Sequence, residues 1–377
     1  MPRWQLHFHS TVDLQDPDVT RLVARIESLT GLIHEIPLPP TLRLQIDRLN
    51  IVRAVRGTTG IEGSDLTEDE VEQVLRAEDA RRAPVLGTAR AREEQEARNA
   101  RRVMEFIRST VRGEPDHLLT ESDVREIHRL TTSAIDYRMN APGEYREHPV
   151  VAGDYLAPVP SEVPDLMGRF FEWFPETRER DGWPECVRAV AAHFYLISIH
   201  PFGDGNGRTS RAVESLILYR SGINSLGFYS LANFYYRHRA EYEEQLNRAR
   251  FVHDGDLTEL VTFALRGLRE ELDGVHAQAL AELRKVAFRD FAREQLQVDG
   301  GLRTKVGERR LQLVLLALAE PIPLADVRSR RHPASALYQG TSRTLNRDLS
   351  YLEEAGLLVV TAGRIEPNLA IMSRFIE

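Results

Sequence analysis

The sequence predicts an all-α fold with a small β-hairpin flap set into it, followed by a compact C-terminal unit of short helices and strands. Three observations carry this. Apolar residues recur at helical spacing along most of the 377 residues. A stretch from Gly143 to Val159, rich in Pro, Gly, Tyr and Val, interrupts that pattern. From Arg303 onward, 11 Lys/Arg face 8 Asp/Glu, in a chain whose net charge is −8.

The elements follow in order. Leu42, Leu44, Ile46, Leu49 and Val52 define a helix over Leu42–Arg56, and the Gly-Thr-Thr-Gly of Gly57–Gly60 reads as its break. Thr67 and Glu70 form a capping-box pattern for a helix through Leu75. Arg90–Val111 is charged with sparse apolar residues, as in a long helix exposed on one side. Thr120 before Asp123 caps another over Leu119–Ser133. Beyond the hairpin, helices are expected at Val163–Trp173, Glu185–Ile199 and Arg208–Tyr219, with a Gly-rich loop before the last. Glu270–Gln297 reads as a connecting helix. Leu311–Ala319, Leu324–Arg328 and Ser342–Ala355 are then three short helices. Gly356–Val360 and Gly363–Ile365 are two strands, an order that suits a winged helix-turn-helix. The expected division is an N-terminal helical region (1–115), a core (116–270), a connecting helix (271–302) and the C-terminal unit (303–377).

Composition excludes some classes. Apolar residues at 42% and charged residues at 28% are ordinary for a folded soluble protein. The acidic balance argues against a chain devoted to nucleic acid. Cys186 is the only cysteine, so neither an intramolecular disulfide nor a cysteine-rich zinc site can form. Met1–Asp13 has no apolar core of signal-peptide length, and Leu311–Leu318, the richest apolar stretch, falls short of the ~20 residues of a membrane span. A cytoplasmic protein without membrane attachment is expected.

The chemistry is concentrated in His200-Pro201-Phe202-Gly203-Asp204-Gly205-Asn206-Gly207-Arg208-Thr209-Ser210-Arg211. Gly205 and Gly207 allow the tight turn of an anion-binding nest, and the helix start behind it adds unpaired N–H donors. Arg208 and Arg211, three apart, share a helix face and reach the same anion. Asp204 offers a hard oxygen to Mg²⁺, which travels with phosphates. His200 is the residue type best suited to take a proton near neutral pH. The glycine spacing matches neither the Walker loop nor the dinucleotide fingerprint.

This segment resembles the motif of the Fic family, H-x-F-x-[D/E]-G-N-G-R-x-x-R, at every defined position. The wider resemblance covers roughly Leu119 to Arg250. It implies a Mg²⁺- and ATP-dependent protein adenylyltransferase that places AMP on a Tyr, Thr or Ser hydroxyl of a protein target, itself included, and releases pyrophosphate. His200 would be the base, Asp204 the Mg²⁺ ligand, and Gly205, Asn206 and Gly207 the phosphate cradle. Arg208 and Arg211 would take the β/γ portion, Val150, Val151, Ala152 and Gly153 would form the flap, and Tyr242 would lie by the adenine. Relatives that transfer phosphate carry lysine where this chain has Gly207. Thr58, Glu62 and Gly63 match the family's inhibitory motif, [S/T]-x-x-x-E-[G/N], which implies that Glu62 competes for Arg211. The same carboxylate could instead serve AMP removal, and another donor such as UTP is an alternative. A nucleotide-sensing DNA-binding regulator is the reading from a different class. The resemblance also makes a homodimer plausible. In the C-terminal unit, Arg343 and Arg347 are candidates for DNA contact, with dimerisation or target docking as the competing role, and Leu345, Leu349 and Leu352 are core.

Overall fold

The computed structural model describes residues 4–79, 88–153, 155–223, 231–298, 301–338 and 342–373. They form two compact units, 1–276 and 277–377.

The first unit begins with α1 (Pro17–Glu35), capped by the Asp16 carboxylate on the N–H groups of Asp18 and Val19. Next comes α2 (Pro40–Ile61). It runs straight through Gly57–Gly60, so the expected break is absent. The glycines serve packing instead. A Cβ on Gly57 would lie 2.7 Å from the Asn233 backbone, and one on Gly60 would lie 2.5 Å from the Tyr236 ring. Of the five apolar residues that define the helix in sequence, Leu42, Ile46 and Val52 are buried, whereas Leu44 and Leu49 point outward. α3 (Glu68–Asp79) carries the expected box, with Thr67 N–H donating to Glu70 and Glu70 N–H to Thr67 Oγ1. α4 (Ala89–Gly113) follows Thr88 as cap, and α5 (Glu121–Thr131) has both halves of the Thr120/Asp123 box.

The flap is smaller than its sequence signature: β1 (Val151–Ala152) pairs antiparallel with β2 (Tyr155–Leu156), and among the described residues nothing else in Gly143–Val159 is strand. α6 (Val163–Glu179) leads to α7 (Glu185–Ile199). Every residue of α7 from Cys186 to Ile199 is buried, which makes it the central helix of the unit. α8 (Asn206–Arg220) packs on α7 and begins two residues earlier than expected, taking Asn206 and Gly207 into its first turn. α9 (Leu231–Arg237) lies against α2, and α10 (Arg239–Phe251) follows it. Near the N-terminus, Trp4 and Leu6 are buried and Thr11 bridges to Asp256.

α11 (Thr258–Val298) is one helix of 41 residues whose last part belongs to the second unit. There Phe288, Ala292 and Leu296 join a core with residues of α12 (Lys305–Ala319) and α14 (Ser342–Glu354). Between those helices come β3 (Ile322–Pro323) and α13 (Leu324–Arg328). β4 (Leu358–Thr361) and β5 (Arg364–Pro367) complete an antiparallel sheet of order β3-β5-β4. Leu345, Leu349 and Leu352 are buried as expected. No helix of the described residues is long and apolar enough to cross a membrane.

Candidate active site

The turn between α7 and α8 is built by His200 and Gly205. His200 caps α7 in the left-handed region, at φ 52° and ψ 59°, which carries the chain sharply out of the helix. Its Nδ1 lies 3.2 Å from the Ile197 carbonyl. A carbonyl only accepts, so Nδ1 holds the proton and Nε2 keeps its lone pair. Burial lowers the pKa of His200 to about 4, with Arg146 and Arg250 acting in the same sense against Ile197 and Glu62. At neutral pH the imidazole is therefore a base. Gly205 has φ 74°, a conformation that favours glycine, and a Cβ there would come within 2.8 Å of Thr132.

Asn206 clamps the loop rather than facing outward: its Oδ1 accepts from Phe202 N–H and its Nδ2 donates to the Phe202 carbonyl, both at 2.9 Å. Underneath, the Phe202 ring stacks on His128 at 3.7 Å. His128 donates through Nε2 to the Asp204 carbonyl (3.0 Å) and accepts at Nδ1 from Gly143 N–H (2.9 Å). Burial first, and Arg208 after it, hold its pKa near 4. Arg146 ties the flap to the same turn, donating to the carbonyls of His200, His148 and Pro158.

The two motif arginines diverge. Arg208 turns inward to Tyr137 (2.6 Å), Glu96 (3.1 Å) and the Asp204 Oδ1 (3.1 Å), and does not line the cleft. Arg211 donates from Nε to Thr58 Oγ1 and from Nη2 to the Thr58 carbonyl, both at 3.1 Å. Nη2 also reaches Glu62 Oε1 at 2.6 Å. Burial would raise the Glu62 carboxyl, but the charges of Arg211 and Arg208 and the Arg211 bond outweigh it and hold it below the usual range. Glu62 therefore carries its charge at neutral pH. It follows directly on α2, and Gly63, at φ 99°, turns the chain away. A Cβ on Gly207 would meet the end of the Glu62 side chain, which would have to move aside for any larger residue.

These groups surround a cleft of about 690 Å³. His200, Asp204, Gly205, Asn206, Gly207 and Arg211 line one part of it, with Glu62. Val150, Val151 and Gly153 of the flap and Tyr242 of α10 line the rest, while Ala152 pairs with Tyr155 in the hairpin. Thr58 meets Arg211 behind the cleft wall. The Tyr242 hydroxyl contacts His193 Nε2 at 2.9 Å, and its ring stacks on Tyr235. Among the described residues no three His, Cys, Asp or Glu come together as a metal cage.

His128, Tyr137, Glu96 and Arg146 escaped the sequence reading. Each is an isolated polar residue in a helix or loop, and only the tertiary fold brings it to the turn.

Residues 118–218 match the Fic/DOC family. Over 181 residues it is 33% identical to the protein of Culex quinquefasciatus named protein adenylyltransferase Fic, a match covering 48% of this chain and 33% of that one. The protein of the same name from Aedes aegypti is 28% identical over 232 residues, covering 62% and 43%. The chain thus spans less than half the length of these relatives. In fold it is similar to a Fic family protein of Desulfovibrio desulfuricans, with a TM-score of 0.56, 24% identity, and coverage of 93% of this chain and 96% of that one. C. elegans Fic-1 (residues 134–508) is similar at 0.55, with 23% identity over 70% and 74%.

Proposed function

We propose that this protein is a protein adenylyltransferase, moving AMP from ATP to a Tyr, Thr or Ser hydroxyl, its own included, and that Glu62 restrains it. The observation that carries this is the neutral His200, with Nε2 free, sharing a cleft with a glycine-lined helix start and Arg211. The names of the relatives agree with it. In the proposed step Nε2 of His200 takes the hydroxyl proton and the oxygen attacks the α-phosphorus. The bond from that phosphorus to the pyrophosphate oxygen breaks, and pyrophosphate leaves. The N–H groups at the start of α8 receive phosphate oxygens, and Arg211 turns from Glu62 to the terminal phosphates. Arg208 acts by fixing Asp204.

Asp204 suits a magnesium ion shared with substrate. Its side chain is 43% exposed, its Oδ1 is held by Gly205 N–H and Arg208, and Mg²⁺ commonly needs only one or two protein carboxylates beside phosphates and water. When bound, the ion would neutralise charge on the phosphates.

Labelled ATP tests the reading. Losing a charge-assisted bond of about 1.5–3 kcal/mol predicts a gain of roughly 10- to 100-fold in self-labelling for Glu62→Gly, while His200→Ala gives none. An unlabelled Glu62→Gly protein removes the activity from consideration.

A second reading concerns the C-terminal unit as a winged helix that contacts DNA. It is supported by α14, which exposes Arg343 and Arg347 while Asp348 is buried between Arg309 and Arg310. If both exposed arginines meet phosphates, replacing them with Ala reduces the slope of log K against log salt by about 2. Binding that ignores salt refutes it.

A further inference from the structure

The cleft contains a cation that the proposed reaction leaves unused. Six arginines among the described residues are almost wholly buried. Arg98 pairs with Glu94, Arg188 with Glu185, Arg208 with Glu96 and Asp204, and Arg211 with Glu62. Arg146 has no carboxylate, but its nitrogens reach three carbonyls. Arg250 has neither arrangement. It is 4% exposed, its Nε donates to Ser198 Oγ at 3.0 Å, and Nη1 reaches Asn247 Oδ1 at 3.4 Å. The guanidinium lies over the Tyr155 ring, 4.5 Å from its centre. Among the described residues no carboxylate pairs with it, and its Nη2 donates to nothing.

Removing a guanidinium from water costs several kcal/mol, and a ring face and two neutral oxygens offset only part of that. Burial accordingly pulls the pKa of Arg250 down to about 10. Unlike Arg146, the other buried arginine without a carboxylate, it opens on the cleft, on the same side of α10 as Tyr242 and Leu246. Ser198, which holds it, is two residues before His200.

We propose that Arg250 is a ligand-binding residue that takes an anionic oxygen inside the cleft beside His200. On the proposed function, on which this rests, that oxygen belongs either to a nucleotide phosphate or to a carboxylate of the acceptor protein. The site also bears on the base. The positive charge of Arg250 is one of the influences that hold the His200 pKa down. An anion bound there cancels it, and the imidazole becomes a stronger base once the ligand is seated.

The test uses the full chain in the Glu62→Gly background, comparing Arg250 with Arg250→Gln and Arg250→Lys. ATP affinity is measured by calorimetry, and the labelling rate at saturating ATP by radioactivity. If the oxygen is a phosphate's, Arg250→Gln weakens ATP binding about tenfold, the effect of one charge-assisted bond, and Arg250→Lys restores part of it. If it is a carboxylate's, ATP affinity holds and the saturating rate falls by a similar factor. In either case the ligand-free thermal midpoint of Arg250→Gln equals or exceeds that of the parent, because the uncompensated charge is gone. A lower midpoint with affinity and rate unchanged makes Arg250 a structural residue and overturns the proposal. Should the parent neither bind nor use ATP, the adenylyltransferase reading fails by itself. Inorganic pyrophosphate then decides the anion site: stabilisation of the parent but not of Arg250→Gln supports it, and equal stabilisation refutes it.

Discussion

Arg211 meets Thr58 twice and Glu62 once, and the three bonds differ in what a substitution removes. Thr58→Val deletes the hydroxyl that accepts from Nε but leaves the backbone carbonyl and the carboxylate. This bond has one charged partner where the Arg211–Glu62 bond has two, so at about 1.5 kcal/mol, the low end for charge-assisted bonds, self-labelling should rise roughly 10-fold, no more than the gain for Glu62→Gly. Quantifying label in the two variants side by side checks this order, and a Thr58→Val protein more active than Glu62→Gly contradicts it. The residues at stake were legible in the sequence to the extent that chemistry is local. His200 to Arg211 occupies one turn and one helix start, and the Thr58/Glu62 spacing lies on one helix end. Helical phase alone placed Arg208 and Arg211 on a shared face, yet their side chains part, because three residues leave them about 60° apart around the axis and each finds its own carboxylate. Those carboxylates, Glu96 and Glu62, come from α4 and the end of α2, a meeting no local pattern encodes.

In α2 the same limit appears at the level of an element. Glycine inside a helix costs about 1 kcal/mol relative to alanine, so Gly57–Gly60 reads as an interruption until α9 is seen against it. The helix phase before it was legible, as were the capping boxes of α3 and α5, since those signals involve residues three or four apart. The close approach was not, because its cause is the backbone of Asn233. That cause has a consequence for the proposed restraint by Glu62. A methyl group at Gly57 meets main chain, which cannot swing aside, whereas one at Gly60 meets a ring edge. Gly57→Ala should therefore destabilise the first unit by about 1–3 kcal/mol, the usual cost of overpacking, and by more than Gly60→Ala. Because Glu62 follows on the same helix, the shift also moves the carboxylate from Arg211 and raises self-labelling. Urea unfolding and labelling of both alanine variants measure the two effects together. A stable, fully restrained Gly57→Ala protein shows that α2 tolerates the displacement.

Across the whole first unit, several titratable groups are held neutral, and their signs fix how stability depends on pH. His128 and His200 are lowered by burial to about 4 and His193 to about 3, from an ordinary 6.5. Between pH 4 and 6.5 the unfolded chain therefore binds protons that the folded unit refuses, and stability falls as pH falls. Glu214 is the opposite case. It accepts from the Tyr235 hydroxyl, and burial, against that bond and the charge of Arg211, pushes it up to about 8 from 4.5. Between those values the folded unit keeps a proton that the unfolded chain releases, so stability falls as pH rises, by up to about 1.4 kcal/mol per pH unit. His117 adds to this alkaline loss: its burial is outweighed by Asp123 and Glu114, and its raised pKa withdraws stability as pH climbs. Below 6.5 three histidines oppose one carboxyl and the acid loss prevails, while above 6.5 Glu214 and His117 act without opposition from the three. The urea midpoint of the first unit should therefore peak at about pH 6.5. In Glu214→Gln, which keeps an acceptor for Tyr235 but cannot ionise, the decline from pH 6.5 to 8 should shrink while the acid side keeps its slope. A wild-type midpoint that stays level between pH 6.5 and 8 means that Glu214 is ionised in the fold, and that its second oxygen has found a donor where none is seen.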